Sequence, residues 1–107
     1  MAGKLILVID NNEDNITIVK LALEINSDWV LTASNGLQGV IKAELERRDA
    51  IVLYLAMPDL DGFTVCEVLK SNLFTRTISV IFMTARTKES LVYFKKYYGL
   101  RNNFEAF

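Results

Sequence analysis

The chain has 107 residues, of which 51% are hydrophobic and 23% are charged, and its formal net charge is −1. This size and balance predict one globular domain with its own core and leave no room for a second domain. The near-neutral charge gives no reason to expect a nucleic-acid partner. With no histidine and a single cysteine, Cys66, the sequence excludes histidine-based catalysis, most zinc sites and an internal disulfide.

The chain contains no signal for a membrane. No apolar run approaches the length of a membrane span, and the apolar segment that follows Lys4 is too short and too quickly acidic for a signal peptide. We therefore expect a cytoplasmic protein without membrane contact.

The first half of the chain alternates strand and helix patterns. The apolar run Leu5–Ile9 predicts a strand, and a helix follows from about Glu13 to Ile25 with Asn12 as its N-cap. That helix carries two apolar stripes and should be well buried; the stripes are Ile16, Val19, Leu23 and Ile18, Ala22, Ile25. A second strand, Trp29–Ala33, and a second helix follow, the latter with Leu37, Val40, Ile41 and Leu45 at helical spacing.

The apolar run Ala50–Ala56 predicts a buried central strand, which ends in a loop dense in turn residues, Met57–Gly62. In parallel sheets the functional groups lie just beyond the carboxyl ends of the strands, so this loop is the first place to look for a site. Asp61 is predicted to cap a helix from about Phe63 to Ser71, with Val65, Val68 and Leu69 inward and Cys66 packed and reduced.

The last part of the chain predicts a fourth strand, Ser79–Met83, a helix from Thr87 to Tyr98 and a short final strand in 102–107. Strict alternation with short connections predicts a three-layer α/β domain. The fourth helix has more aromatic residues than one face can bury, which indicates an interaction surface; they are Tyr93, Phe94, Tyr97 and Tyr98.

Four segments carry a resemblance to a known family: LILVIDNNEDN, TASNG, MPDLDGF and VIFMTA. Together they resemble the receiver domains of two-component response regulators, and the match from Leu5 to Gly99 needs no gap. The resemblance implies a flavodoxin-like doubly wound parallel sheet with strand order 2-1-3-4-5, in a single receiver-like domain over residues 1–107. The family's final helix has no sequence left to build it, so we expect the domain to be truncated after the fifth strand.

A receiver transfers a phosphoryl group to an aspartate, with Mg²⁺ held by two acidic residues and with a hydroxyl and a lysine on the phosphoryl oxygens. Carried over by this resemblance, Asp10 and Asn11 fill the two acidic positions, and Tyr54 replaces the phosphoacceptor four residues ahead of Pro58. Thr84 keeps the hydroxyl. The lysine position falls on Glu105 or Ala106, and this alternative stays open. We expect a degenerate pocket with no catalytic residue and no cofactor, and with Mg²⁺ binding by Asp10 weak or absent.

The sequence therefore indicates a pseudo-receiver: not an enzyme, but a phosphorylation-independent protein-interaction module in two-component-type signalling. The alternative is a receiver still phosphorylated on a non-standard residue or switched by a metal ion. A flavodoxin-like binder of nucleotide or flavin is disfavoured because no glycine-rich phosphate loop follows the first strand. Tyr54 also has a simpler interpretation, as a core tyrosine that reaches the mouth of the site.

The missing final helix leads to an expectation about association. It would leave apolar side chains of the first strand and the first helix uncovered, here Leu5, Leu7, Ile9 and the stripe Ile18, Ala22, Ile25. Exposing such side chains costs about 1.5–3 kcal/mol each, so we expect this surface to bind a protein partner or a second copy, with the aromatic fourth helix contributing.

Overall fold

The computed structural model describes residues 3–55, 57 and 59–83, together with the backbone of 104–106. The strands are β1 (Leu5–Ile9), β2 (Trp29–Ala33), β3 (Ala50–Tyr54), β4 (Ser79–Met83) and the short β5 (Phe104–Ala106), and the helices are α1 (Glu13–Ile25), α2 (Gly36–Leu45) and α3 (Gly62–Ser71). The predicted elements in this part of the chain are confirmed, with boundaries that shift by at most two residues. The predicted fourth helix, 87–98, lies outside the described residues.

All the strand pairs are parallel, as the alternation of strands and helices predicts. The four strands described with their side chains lie in the order β2-β1-β3-β4, and β5 pairs with the far edge of β4. The central strands β1 and β3 are joined in a register that pairs Ile9 with Leu53. Their carboxyl ends therefore meet at one edge of the sheet.

Apolar side chains form a cluster on each face of the sheet. The larger cluster joins the strands to α2 and α3 and includes Leu7, Ile9, Ile51, Leu53, Val80 and Phe82. The smaller one, Ile6, Val8 and Val52, packs against Val19 and Leu23 of α1. The prediction that Leu7 and Ile9 lie on the face that a final receiver helix would cover is therefore wrong. Alternate residues of a strand point to opposite faces, and these two are fully buried on the side of α2 and α3.

Two predictions about helix burial are also wrong. In α1, Ile16 is buried, but Ile18 is 66% exposed and Ile25 is 82% exposed. In α3, Val65 and Leu69 are buried, whereas Val68, predicted to face inward, is exposed. A helix on a sheet buries one stripe, and the second apolar stripe of α1, Ile18, Ala22 and Ile25, lies on its solvent side, which agrees with the expectation that this stripe is uncovered. Among the described residues, no helix is both long and apolar enough to cross a membrane.

Side-chain caps fix where the helices begin. The Asn12 Oδ1 atom accepts a hydrogen bond from the Asn15 N–H (3.0 Å), and the Asp61 Oδ1 atom accepts one from the Thr64 N–H (2.9 Å). Both predicted caps are confirmed, and Asn35 caps α2 in the same way through the Gln38 N–H. These bonds satisfy N–H groups that have no partner inside the helix.

Cys66 lies on the buried face of α3 and is a free thiol. Burial raises the pKa of this thiol to about 11. The reactive thiolate is therefore scarce near neutral pH, and Cys66 packs as a small apolar residue, as predicted.

Candidate functional site at the carboxyl edge of the sheet

The structure brings Asp10 and Tyr54 together at the carboxyl edge of the sheet. Ile9 pairs with Leu53, so the next residue of each strand, Asp10 and Tyr54, lies one step further along the same edge. Tyr54 in turn pairs with Met83 at the end of β4. This is the edge at which parallel α/β sheets place their functional groups.

Asp10 is almost completely buried, with 2% of its surface exposed. Its backbone N–H donates to the Ala33 carbonyl (3.1 Å), which fixes it beside the end of β2. Its Oδ1 atom accepts a hydrogen bond from the Asn12 N–H (2.9 Å). Asn11, between these two residues, is exposed. One carboxylate and one neutral amide therefore stand at the end of β1, and the carboxylate is engaged by its own loop.

Tyr54 is half-buried at the end of β3, and its side chain packs against the larger core cluster. The interpretation of Tyr54 as a core tyrosine agrees with this packing, and the direction of its hydroxyl towards the site mouth stays a prediction. A phenol differs from the carboxylate of a phosphoaccepting receiver in chemistry as well as in size, because phosphorylation of a phenol gives an aryl ester and not an acyl phosphate.

The loop after β3 turns tightly under the site. The Leu55 N–H donates to the Met83 carbonyl (3.2 Å), and the Gly62 N–H donates to the Leu55 carbonyl (2.8 Å). A Cβ atom at Gly62 would lie 2.7 Å from the Leu55 Cα atom and 2.8 Å from the Tyr54 carbonyl oxygen. Only glycine fits this close approach, so the return of the chain to its own strand explains the glycine at position 62.

Asp59 ties this loop to the start of α2. Its two carboxylate oxygens accept hydrogen bonds from the Gly36 N–H (3.1 Å) and the Leu37 N–H (3.0 Å). Slight burial raises the pKa of the Asp59 carboxyl, but hydrogen bonds from backbone N–H groups, including those of Leu37, Leu60 and Gly36, outweigh it and hold the pKa below its ordinary value. Sequence reasoning placed Asp59 in the loop but missed this contact, because no local pattern connects positions so far apart in the chain.

We expect Asp59→Asn to lower the free energy of unfolding by about 0.5–1 kcal/mol at neutral pH, the lower part of the range for a capping side chain because the carboxylate is exposed. A lowered folded-state pKa means that the stabilisation is present above the unfolded pKa of about 3.9 and is lost as the pH falls through the folded pKa. Urea titrations of both proteins at several pH values measure this. The difference in unfolding free energy between Asp59→Asn and the wild type should shrink towards zero in acid. The control is Glu67→Gln, on the exposed face of α3, which should match the wild type at every pH.

The remaining site positions are only partly visible. Thr84 lies outside the described residues. In β5, the backbone of Glu105 pairs with Ile81 and that of Ala106 pairs with Phe82, so both positions lie beside β4 near the same edge. Whether Glu105 or Ala106 corresponds to the lysine of an active receiver stays open.

The donor set does not fit a dedicated Mg²⁺ site. A hard cation needs several oxygen ligands, with carboxylates prominent among them. Within residues 3–55, 57 and 59–83, no group of three or more acidic or cysteine side chains is placed to hold a metal ion. Asn11 supplies no charge next to Asp10, and the carboxylates of Asp59 and Asp61 are engaged by the first N–H groups of α2 and α3.

Comparisons with known proteins agree with the receiver-like fold. The family model of the response regulator receiver domain matches residues 6–101. The chain is 37% identical over 98 residues to the alkaline phosphatase synthesis transcriptional regulatory protein PhoP of Bacillus subtilis, covering 92% of this chain and 38% of PhoP. It is 31% identical over 97 residues to the protein PilH of Pseudomonas aeruginosa, covering 91% of this chain and 80% of PilH. The chain thus spans less than half the length of PhoP.

Solved structures show the same likeness. The signal receiver domain of a signal transduction histidine kinase from Syntrophus aciditrophicus superposes with a TM-score of 0.84 at 26% identity, over 98% of this chain and 77% of that one. The receiver domain of the Pseudomonas aeruginosa sensor histidine kinase PA1611, solved with a magnesium ion in its active-site cleft, gives a TM-score of 0.83 at 25% identity, over 99% and 84%. The fold is thus flavodoxin-like, and the chain belongs to the response regulator receiver domain family.

Proposed function

We propose that this chain is a pseudo-receiver, which works as a phosphorylation-independent protein-interaction module in two-component-type signalling. The observation that carries the proposal is the tyrosine at the end of β3, beside the buried Asp10, where a phosphoaccepting receiver needs a carboxylate. The proposal covers residues 1–107 as one receiver-like domain that acts in the cytoplasm. If the chain belongs to a longer protein, the activity and the partners of that protein are likewise proposals.

The second support is the loss of charge around that position. Asn11 leaves Asp10 as the lone acid at the end of β1, and Asp10 already accepts a hydrogen bond from its own loop. Neither of the two positions that align with the receiver lysine, Glu105 and Ala106, is a lysine. The nucleophile, one metal-binding charge and the counter-charge for the phosphoryl group are therefore changed together, while the β3–α3 loop stays anchored by Asp59 and Asp61.

The third support is a surface suited to a protein partner. The outer face of α1 carries exposed Ile18, Leu21 and Ile25. Beside α1, an apolar groove of about 430 Å³ is lined by Val19, Leu23, Val52, Ile81 and Met83. Exposed apolar surface next to an apolar groove is typical of interaction sites. Self-association through this region, predicted from the sequence, stays a prediction, as does a contribution from the aromatic fourth helix.

The test is phosphoryl uptake from small donors. We expect no adduct by intact-protein mass spectrometry after incubation with acetyl phosphate or phosphoramidate, with or without Mg²⁺, because no carboxylate stands at the end of β3. A receiver domain that keeps an aspartate at this position is the positive control. A stoichiometric, hydroxylamine-labile adduct on Asp10, Asp59 or any other residue would contradict the proposal and favour the alternative of a receiver phosphorylated on a non-standard residue.

A further inference from the structure

The start of α2 carries a chemically labile pair of residues, Asn35-Gly36. Asparagine followed by glycine deamidates readily, because glycine has no Cβ atom to shield its backbone nitrogen. The Gly36 nitrogen attacks the Asn35 Cγ atom and closes a succinimide ring, while the side-chain nitrogen leaves as ammonia with the proton of the Gly36 N–H. Water then opens the ring to aspartate or isoaspartate. No other asparagine of the sequence precedes a glycine.

Each residue of this pair has a structural role. The Asn35 Oδ1 atom accepts a hydrogen bond from the Gln38 N–H (2.8 Å) and so caps α2. A Cβ atom at Gly36 would lie 2.8 Å from the Val65 Cγ2 atom and 2.9 Å from the Leu60 Cβ atom, so a larger residue would disturb the packing of α2 against α3 and the loop before it. The fold therefore keeps a labile pair at this position.

Asp59 holds the nitrogen that has to attack. The buried Gly36 donates its N–H to one Asp59 carboxylate oxygen (3.1 Å), and the next N–H, of Leu37, donates to the other (3.0 Å). Ring closure also needs a rotation about the Asn35 Cα–C bond, away from the extended ψ of 168°. The Asn35 side chain would have to leave Gln38 as well. The reaction therefore requires a local opening in which these hydrogen bonds break together.

We propose that Asn35 is a site of slow spontaneous modification in the folded domain, and that its contact partner Asp59 sets the rate. Each time the β3–α3 loop separates from the start of α2, the Gly36 N–H loses its acceptor and the pair becomes able to react. Isoaspartate adds a methylene group to the main chain at the point where the cap and the Asp59 bonds are made, so the modified chain loses this geometry. The inference is independent of the proposed function.

The experiment measures conversion of Asn35 to aspartate and isoaspartate by peptide mass spectrometry, during incubation of the chain at neutral pH. We expect slow conversion in the wild type, roughly tenfold or more below the rate of the same chain unfolded in urea. Asp59→Ala, which removes both acceptor oxygens, should raise the rate in the folded protein about fivefold, the factor that corresponds to a contact of about 1 kcal/mol. Asp59→Asn keeps one acceptor oxygen and should raise the rate less.

Two control variants decide the outcome. Asn35→Ser keeps a capping oxygen but has no amide, so the mass change at this position should disappear. Asn12→Ala removes the cap of α1, on the other face of the sheet, and should leave the rate at Asn35 unchanged. The proposal is overturned if Asn35 of the folded wild type stays unmodified while the unfolded chain is fully converted, or if both react at the same rate. It is also overturned if Asp59→Ala reacts no faster than the wild type or no faster than Asn12→Ala.

Discussion

Phe82→Ala is expected to lower the free energy of unfolding by about 3–5 kcal/mol, the range for deleting a fully buried phenylalanine. Phe82 has no exposed surface and is the largest of the fully buried side chains in the described residues. Its ring stacks on Phe63 of α3 with a centroid separation of 6.4 Å, so it joins β4 to the helix that follows the functional loop. A small domain has a total stability of about 5–15 kcal/mol, so this single change removes a large part of it.

Urea denaturation followed by circular dichroism measures this effect, and Phe74→Ala provides a matched control. Phe74 lies in the turn after α3 and is 75% exposed, so the same chemical change there should shift the stability by no more than about 0.5 kcal/mol. Equal losses in the two variants would contradict the assignment of Phe82 to the core.

Tyr54→Asp alone is expected to leave the domain unable to take up a phosphoryl group. The new carboxylate would stand beside Asp10 at the end of β3, but Asn11 would still supply no second charge for Mg²⁺, and no lysine would neutralise the transferred group. The substitution also removes a ring that packs on the core, so circular dichroism must first show that the variant is folded. Incorporation of phosphate from acetyl phosphate with Mg²⁺ is the measurement.

Restoration should need three substitutions, Tyr54→Asp and Asn11→Asp with either Glu105→Lys or Ala106→Lys. Successive residues of a strand point to opposite faces, so we expect one of the two triple variants to become phosphorylated and the other to serve as its control. Robust phosphorylation of the single Tyr54→Asp variant would show that phosphoryl uptake does not depend on the second metal-binding charge or on the lysine.

Local chemistry made much of the fold predictable from the sequence. Asn12 and Asp61 each lie next to the N–H groups they cap, and apolar runs bounded by turn residues marked the strands. The proximity of Asp10 and Tyr54 could also be predicted, because the carboxyl ends of parallel strands meet at one edge of the sheet.

Other features depended on contacts between distant segments. Both apolar stripes of α1 have helical spacing, so the pattern could not tell that Ile16 faces the sheet and that Ile18 faces solvent. The side of the sheet on which Leu7 and Ile9 lie depends on the placement of α2 and α3. The hydrogen bonds from Lys42 to Thr32 and from the α2 N–H groups to Asp59 join separate elements, and no local pattern marks them.

The anchoring of the β3–α3 loop has a consequence for how such a domain can carry information. Asp59 holds one part of the loop to α2 and Asp61 holds the other to α3, and both contacts are made by the protein alone, without a bound phosphoryl group. Under the proposed function, no acyl phosphate forms to act on this loop, so these contacts need not break for the domain to bind its partner. The amount of such a domain, and not the lifetime of an acyl phosphate, would then set how much of its partner is bound.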